Sequence, residues 1–213
     1  RGINTEYYDP NNINKKDRSK FFSKLNIEPG KKIILLPGRL TSWKGQELLI
    51  EALNILKTNF GYKNFVAIIL GSDQGRDTYK KKLVRLVEQH RLNNDVIFLE
   101  HANSMPIAYS IANVVVSASI EPEAFGRVSV EAQSMKKPII ASDIGGSRET
   151  IINNRTGLLF KSADPKSLSE KIDNIFRSDD TTLNAMGNSG RKNVEQKFNV
   201  EKMCFSTYSE YKK

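Results

Sequence analysis

The chain has 213 residues, enough to bury one respectable core and, by length alone, to form one domain or two. Its 38% hydrophobic and 27% charged residues fit a soluble globular protein, and its one cysteine, Cys204, excludes an internal disulfide framework and fits a reducing compartment. The net charge of +9 leaves a nucleic acid, an anionic membrane surface and a phosphorylated ligand open as partners, although much of it is dispersed lysine of the kind that coats a solvated face.

The chain opens Arg-Gly-Ile-Asn, without methionine or signal peptide, which reads as a fragment of a longer protein. An extended, Asn-rich stretch (Ile3–Asn14) and a short amphipathic stretch (Arg18–Leu25) come first. Strands and helices then alternate. Strands are expected over Lys32–Pro37, Phe65–Gly71, Val96–Leu99, Val114–Ala118, Pro138–Ala141 and Gly157–Phe160. The apolar run around Phe65–Leu70 is the longest and is far too short to span a membrane. Helices are expected over Gly45–Asn59, Asp77–His90, Met105–Ala112, Arg127–Met135, Pro165–Phe176, Thr182–Lys197 and Val200–Tyr211, with another short one opened by the Gly145-Gly146 turn. Cys204 falls in an apolar pattern with Phe205 and Tyr208 and reads as a packed, inert thiol. No internal repeat or linker interrupts the alternation. The expected architecture is therefore one α/β domain, residues 1–213, with a parallel sheet and helices on both faces.

In such folds ligands sit beyond the carboxyl ends of the strands. The residues suited to chemistry fall at those ends: Gly38-Arg39, Gly71-Ser72-Asp73, Glu100-His101, Ser119–Gly126 and Ser142–Gly146. Arg39 and Lys44 bracket a strand-to-helix loop and suit phosphate oxygens, the arginine as a planar fork and the lysine as a mobile point charge. Glu123 and Glu131, separated by seven residues, flank an Ala-Phe-Gly turn that starts a helix. Helix starts at Gly126 and Gly146 would present unpaired N–H groups and a positive dipole end to one crevice, an arrangement suited to phosphate, with a carboxylate beside it for sugar hydroxyls. General acid/base work by the two glutamates, as in a glycoside hydrolase, is the weaker alternative. Neither histidine stands in a metal-ligand pattern, and no Asp-x-Asp pair is present to hold a divalent cation on a diphosphate, so no metal and no cofactor is expected.

The segments Pro37-Gly38-Arg39-Leu40…Lys44-Gly45, Glu123-Ala124-Phe125-Gly126…Glu131-Ala132 and Pro138…Ala141-Ser142…Gly145-Gly146…Glu149 resemble the group 1 (retaining, GT-B fold) glycosyltransferases, and Gly2-Ile3-Asn4…Tyr8-Asp9-Pro10 resembles the hinge from which that family's second domain begins. The resemblance implies a Rossmann-like domain, the C-terminal half of a two-domain enzyme whose acceptor-binding N-terminal domain is absent from this chain. It implies that Arg39 and Lys44 hold the donor diphosphate. Glu131 would hold the ribose hydroxyls, and Glu123 would lie beside the transferred sugar. Gly38 and the backbone near Phe125, Gly126 and Arg127 would cradle the donor, and Leu99 and Glu100 would line the base, although the family commonly carries glycine where Glu100 stands. The implied substrate is a nucleotide-diphosphate-sugar, passed to a glycan or lipid-linked acceptor in cell-envelope polysaccharide or lipopolysaccharide synthesis. The implied location is cytoplasmic, with peripheral contact at the inner face of the membrane and no nucleic-acid partner. A non-catalytic nucleotide-binding module and a GT-B-like nucleotide-sugar epimerase stay open as alternatives.

Overall fold

The computed structural model describes residues 1–75 and 77–211. Six parallel strands form one sheet: β1 (Lys32–Pro37), β2 (Phe65–Leu70), β3 (Val96–Leu99), β4 (Val114–Ser117), β5 (Ile139–Ser142) and β6 (Leu158–Phe160). Their order across the sheet is β3-β2-β1-β4-β5-β6. The chain thus winds one way from β1 to β3 and the other way from β4 to β6, and the reversal falls between β1 and β4. In register, Leu35 lies beside Ile68 on one side and Val115 on the other.

Strands buried on both faces explain the unbroken apolar runs. In β1, Ile34 and Leu36 point into one core and Ile33 and Leu35 into the other; β2 repeats the pattern with Ala67 and Ile69 against Val66 and Ile68. The first core is closed by α2 (Gln46–Thr58), α3 (Asp77–Gln89) and α7 (Pro165–Arg177) through Leu49, Leu53, Leu83, Leu168 and Ile172. The second is closed by α4 (Met105–Ile111) and α5 (Arg127–Ser134) through Tyr109, Ile111, Val130 and Met135. Helices therefore cover both faces, as the sequence predicts.

Element ends follow their caps. Helix α1 (Lys15–Ser23) starts three residues before the predicted stretch because the Asn14 side chain accepts from the Lys16 and Asp17 amides. Asp164 caps α7 through the Ser167 amide, and Asp179 caps α8 (Asp180–Lys197) through that of Thr182. A four-residue α6 (Ser147–Thr150) follows Gly146. The opening stretch is not extended as predicted. The Asn4 side chain folds residues 4–7 into a turn by accepting from the Glu6 and Tyr7 amides, and a 3-10 turn follows at Pro10–Asn12. Arg191 fastens this segment to the body: it donates to the Thr5 and Tyr8 carbonyls and pairs with Asp9 at 3.1 Å.

A second reading is corrected. Cys204 lies exposed on α9 (Val200–Tyr211), as do Phe205 and Tyr211, because no described element of this chain packs along that helix's apolar stripe. No helix among the described residues is long and apolar enough to cross a membrane.

Candidate functional site

The loops after β1 and β4 flank the strand-order reversal, the position at which open α/β sheets bind ligands. Their closeness is written into two glycines. A Cβ on Gly45 would meet the Ala118 carbonyl oxygen at 1.9 Å, and the residue has φ +74°, a backbone region costly for any side chain. Gly45 is both the end of the 3-10 turn Ser42–Lys44 and the start of α2. The Ile120 amide then donates to the Trp43 carbonyl at 2.8 Å, which ties the two loops together. Gly71 lets the loop after β2 join them: a Cβ there would lie 1.9 Å from the Gly38 carbonyl oxygen.

This framework brings Lys44 and Glu123 together. The Lys44 ammonium lies 2.9 Å from Glu123 Oε1 and 4.4 Å from the centre of the Trp43 ring, with the lysine side chain 14% exposed and the glutamate side chain 17%. The stem of Lys44 runs past Gly38, 3.6 Å from where a Cβ would stand, an ordinary packing distance. Ser119 Oγ donates to the same Glu123 oxygen. Arg39 is exposed and makes no ion pair with a described residue. Its carbonyl accepts from Gln46 Nε2 at 2.8 Å, which fixes the backbone while the guanidinium stays in solvent.

Helix α5 starts at Gly126, whose φ of +70° belongs to the left-handed region, and no side chain caps it. Its first amides thus have no side-chain acceptor supplied by a cap, and the positive dipole end is not offset there. The second glycine turn behaves differently from the sequence expectation. The Gly146 N–H is spent on the Glu123 carbonyl at 2.7 Å, and a Cβ on Gly145 or Gly146 would strike the backbone of Pro122–Phe125. The Gly-Gly pair therefore seats the Glu123 loop from behind rather than offering a second open phosphate cradle.

Glu131 sits one turn into α5, away from Lys44. It is 5% exposed, and both oxygens are occupied: Oε1 accepts from Tyr8 (2.9 Å) and Arg127 (2.6 Å), and Oε2 accepts from Tyr109 (2.7 Å). Burial, then the carboxylate's charge, raises both tyrosine hydroxyls well above their ordinary range. Arg127 itself is exposed and covers the carboxylate from the solvent side. Of about four lone-pair positions on a carboxylate, three are taken. A sugar hydroxyl reaches the rest only where Arg127 gives way.

Phe125 is half-buried and packs edge-on against Phe198, 6.0 Å between ring centres. Leu99 ends β3, and its carbonyl accepts from Gly71; Glu100 projects beyond it into solvent and pairs with Lys80 at 3.1 Å. Sequence reasoning placed Ser119 at the crevice without its bond to Glu123, and missed the part that Tyr8 and Tyr109 play. Ser119 lies two residues past the end of β4 and four positions before Glu123. Nothing in the sequence signals that two tyrosines, 101 positions apart (109 − 8), meet on one carboxylate.

Comparison with known proteins agrees with this geometry. The family model "Glycosyl transferases group 1" matches residues 17–193. The capsular polysaccharide biosynthesis glycosyltransferase CapM of Staphylococcus aureus is 30% identical over 164 residues, 77% of this chain and 41% of CapM. A glycosyltransferase structure from Rickettsia africae superposes with TM-score 0.92 at 33% identity, over 100% of this chain and 55% of that one. HepE of Anabaena, solved with UDP and glucose, gives TM-score 0.88 at 25% identity, over 99% and 55%. This chain spans about half the length of the relatives it matches. By family match, sheet order and neighbours, which carry the C-terminal domain fold of GT-B enzymes, the chain belongs to the group 1 glycosyltransferases.

Proposed function

We propose that this chain is the donor-binding domain of a two-domain retaining glycosyltransferase, which takes a sugar from a nucleotide-diphosphate-sugar and passes it to a glycan or lipid-linked acceptor held by a second domain. The observation that carries the reading is the grouping of Lys44, Glu123 and Ser119 beside the uncapped start of α5 and the unpaired Arg39, all at the strand-order reversal. Lys44 and Arg39 meet a diphosphate. As the glycosidic bond breaks, charge builds on the departing phosphate, and preorganised cations and amides stabilise that charge more than they stabilise the bound donor. Lys44 is held ready by Glu123, and exchanging that partner for phosphate releases the Glu123 carboxylate toward the sugar. In this reading Leu99 and Glu100 border the base, and Glu131 meets the ribose once Arg127 swings aside.

The UDP in the HepE structure and the capsule pathway in CapM's name support a nucleotide-sugar donor and an envelope polysaccharide product. No metal enters the scheme, since two cations and a helix end supply the positive charge. The test is Lys44→Ala and Arg39→Ala in the two-domain enzyme. Turnover falls on the order of a hundredfold, as on removing one preorganised donor, with a smaller change in donor KM. Lysine at position 39 restores only part, having charge without the fork. Two folded variants with kcat within a factor of two of wild type would refute the assignment.

A further inference from the structure

At the opposite end of the strands from the crevice lies a hollow of about 710 Å³ between α1 and the turn that joins α5 to β5. Four cations line it: Lys15 and Arg18 from α1, and Lys136 and Lys137 from the turn. No carboxylate among the described residues lies within ion-pair distance of any of the four. Asp9, on the turn that precedes α1, is spent on Arg191 and the Asn11 amide.

The bland account is that lysines gather at the carbonyl end of α5, where the helix dipole favours them. It covers Lys136 and Lys137 and leaves Lys15 and Arg18 unexplained, since they come from another helix and face the same space. The turn is also built rather than loose. Lys136 holds a left-handed backbone (φ +54°), and the Lys136 and Lys137 amides are tied to the Gln133 and Ala132 carbonyls. Lys137 Nζ donates to the Ser110 carbonyl at 2.8 Å, which leaves two of its three donors for another acceptor. Burial, then the charge of Arg18, lowers Lys137 to about 8, the behaviour of a cation lacking its counter-charge.

We propose that this hollow is a second ligand site, distinct from the donor crevice, which takes a phosphate- or diphosphate-bearing anion. Concave walls of one sign concentrate counter-ions. Arg18 supplies the fork, and the three lysines supply point charges around one or two phosphate groups. The phosphate belongs either to a soluble phosphorylated compound or to the headgroup of an anionic lipid.

The test uses the 213-residue chain carrying Lys44→Ala and Arg39→Ala, so that the donor crevice is weakened and any remaining binding there is told apart by its shifts at residues 38–45 and 118–127, at about 0.15 M salt, where diffuse attraction is screened. Inorganic pyrophosphate is titrated while the amide NMR signals of residues 15–19, 110 and 135–137 are followed. Saturable shifts confined to these positions are expected. At least a tenfold loss of affinity is expected in the triple variant Lys15→Gln, Arg18→Gln, Lys136→Gln, which spares the half-buried Lys137 and its bond to the Ser110 carbonyl and so keeps the fold. A second arm sediments the protein with phosphatidylcholine vesicles, with and without phosphatidylglycerol. Sedimentation that needs the anionic lipid and is lost in the triple variant assigns the phosphate to a headgroup. Pyrophosphate binding without sedimentation assigns it to a soluble compound. Shifts absent or unchanged in the triple variant, together with no vesicle difference, would overturn the site.

Discussion

Replacing Glu131 by alanine tests how the fold treats its buried carboxylate. Tyr109 is fully buried and Tyr8 nearly so, and each donates its hydroxyl to Glu131. Removing the acceptor leaves two buried hydroxyls without partners, at about 1–3 kcal/mol each. Arg127 is mostly exposed and adds little. The expected loss is therefore on the order of 2–6 kcal/mol, a large share of the roughly 5–15 kcal/mol that holds a domain together. For a domain of this size each kcal/mol moves Tm by about 2–4 °C, so a fall on the order of 10 °C is expected in a calorimetric or fluorescence melt. Glu131→Gln keeps an acceptor for one hydroxyl and a donor for the other and falls less. Donor affinity of both variants is then compared well below their Tm, where a loss beyond that seen in Tyr109→Phe reports the ribose contact itself. A Glu131→Ala Tm within 2 °C of wild type would refute the reasoning, because it would mean that neither hydroxyl depends on this carboxylate.

Gly45→Ala combines a left-handed backbone with a clash against the Ala118 carbonyl, so it should cost well over about 1 kcal/mol and loosen the Lys44–Glu123 pair; an unchanged denaturation midpoint would contradict this. Tyr8 and Tyr109 stay protonated in the fold beyond the pH, about 10, at which an unfolded tyrosine ionises. Between those limits the unfolded chain binds fewer protons, so their contribution is complete below pH 10 and declines above it, and Tyr109→Phe should flatten that alkaline decline in a pH series of melts. Donor binding should survive a chelator; a tenfold loss of affinity in EDTA that magnesium or manganese restores would contradict a metal-free diphosphate site.

The layered α/β fold is legible in the sequence because strands buried on both faces carry no polar alternation, and each helix announces its apolar stripe. The loops after β1 and β4 are legible too, since a strand end, a glycine and a charged residue recur at each. Contacts between residues far apart in sequence leave no such trace. The Glu131–Tyr109–Tyr8 cluster depends on α4, α5 and the opening turn meeting on one side of the sheet. Gly145 and Gly146 read as a phosphate turn by type alone. Only the approach of Pro122–Phe125 shows that their missing side chains serve backbone packing. Cys204 misleads for the reverse reason: an apolar stripe on α9 resembles a core face, yet no residue of that helix is buried.

The central claim, that the donor binds at the strand-order reversal, is tested most directly by titrating the isotope-labelled chain with UDP, GDP, ADP and CDP and mapping the perturbed amides. At least one nucleotide should shift residues 38–45 and 118–127, around Lys44 and Glu123, with the effect weakened by Lys44→Ala. Saturable binding by any of the four that leaves both loops unperturbed, or no binding by any at millimolar concentration, would contradict it.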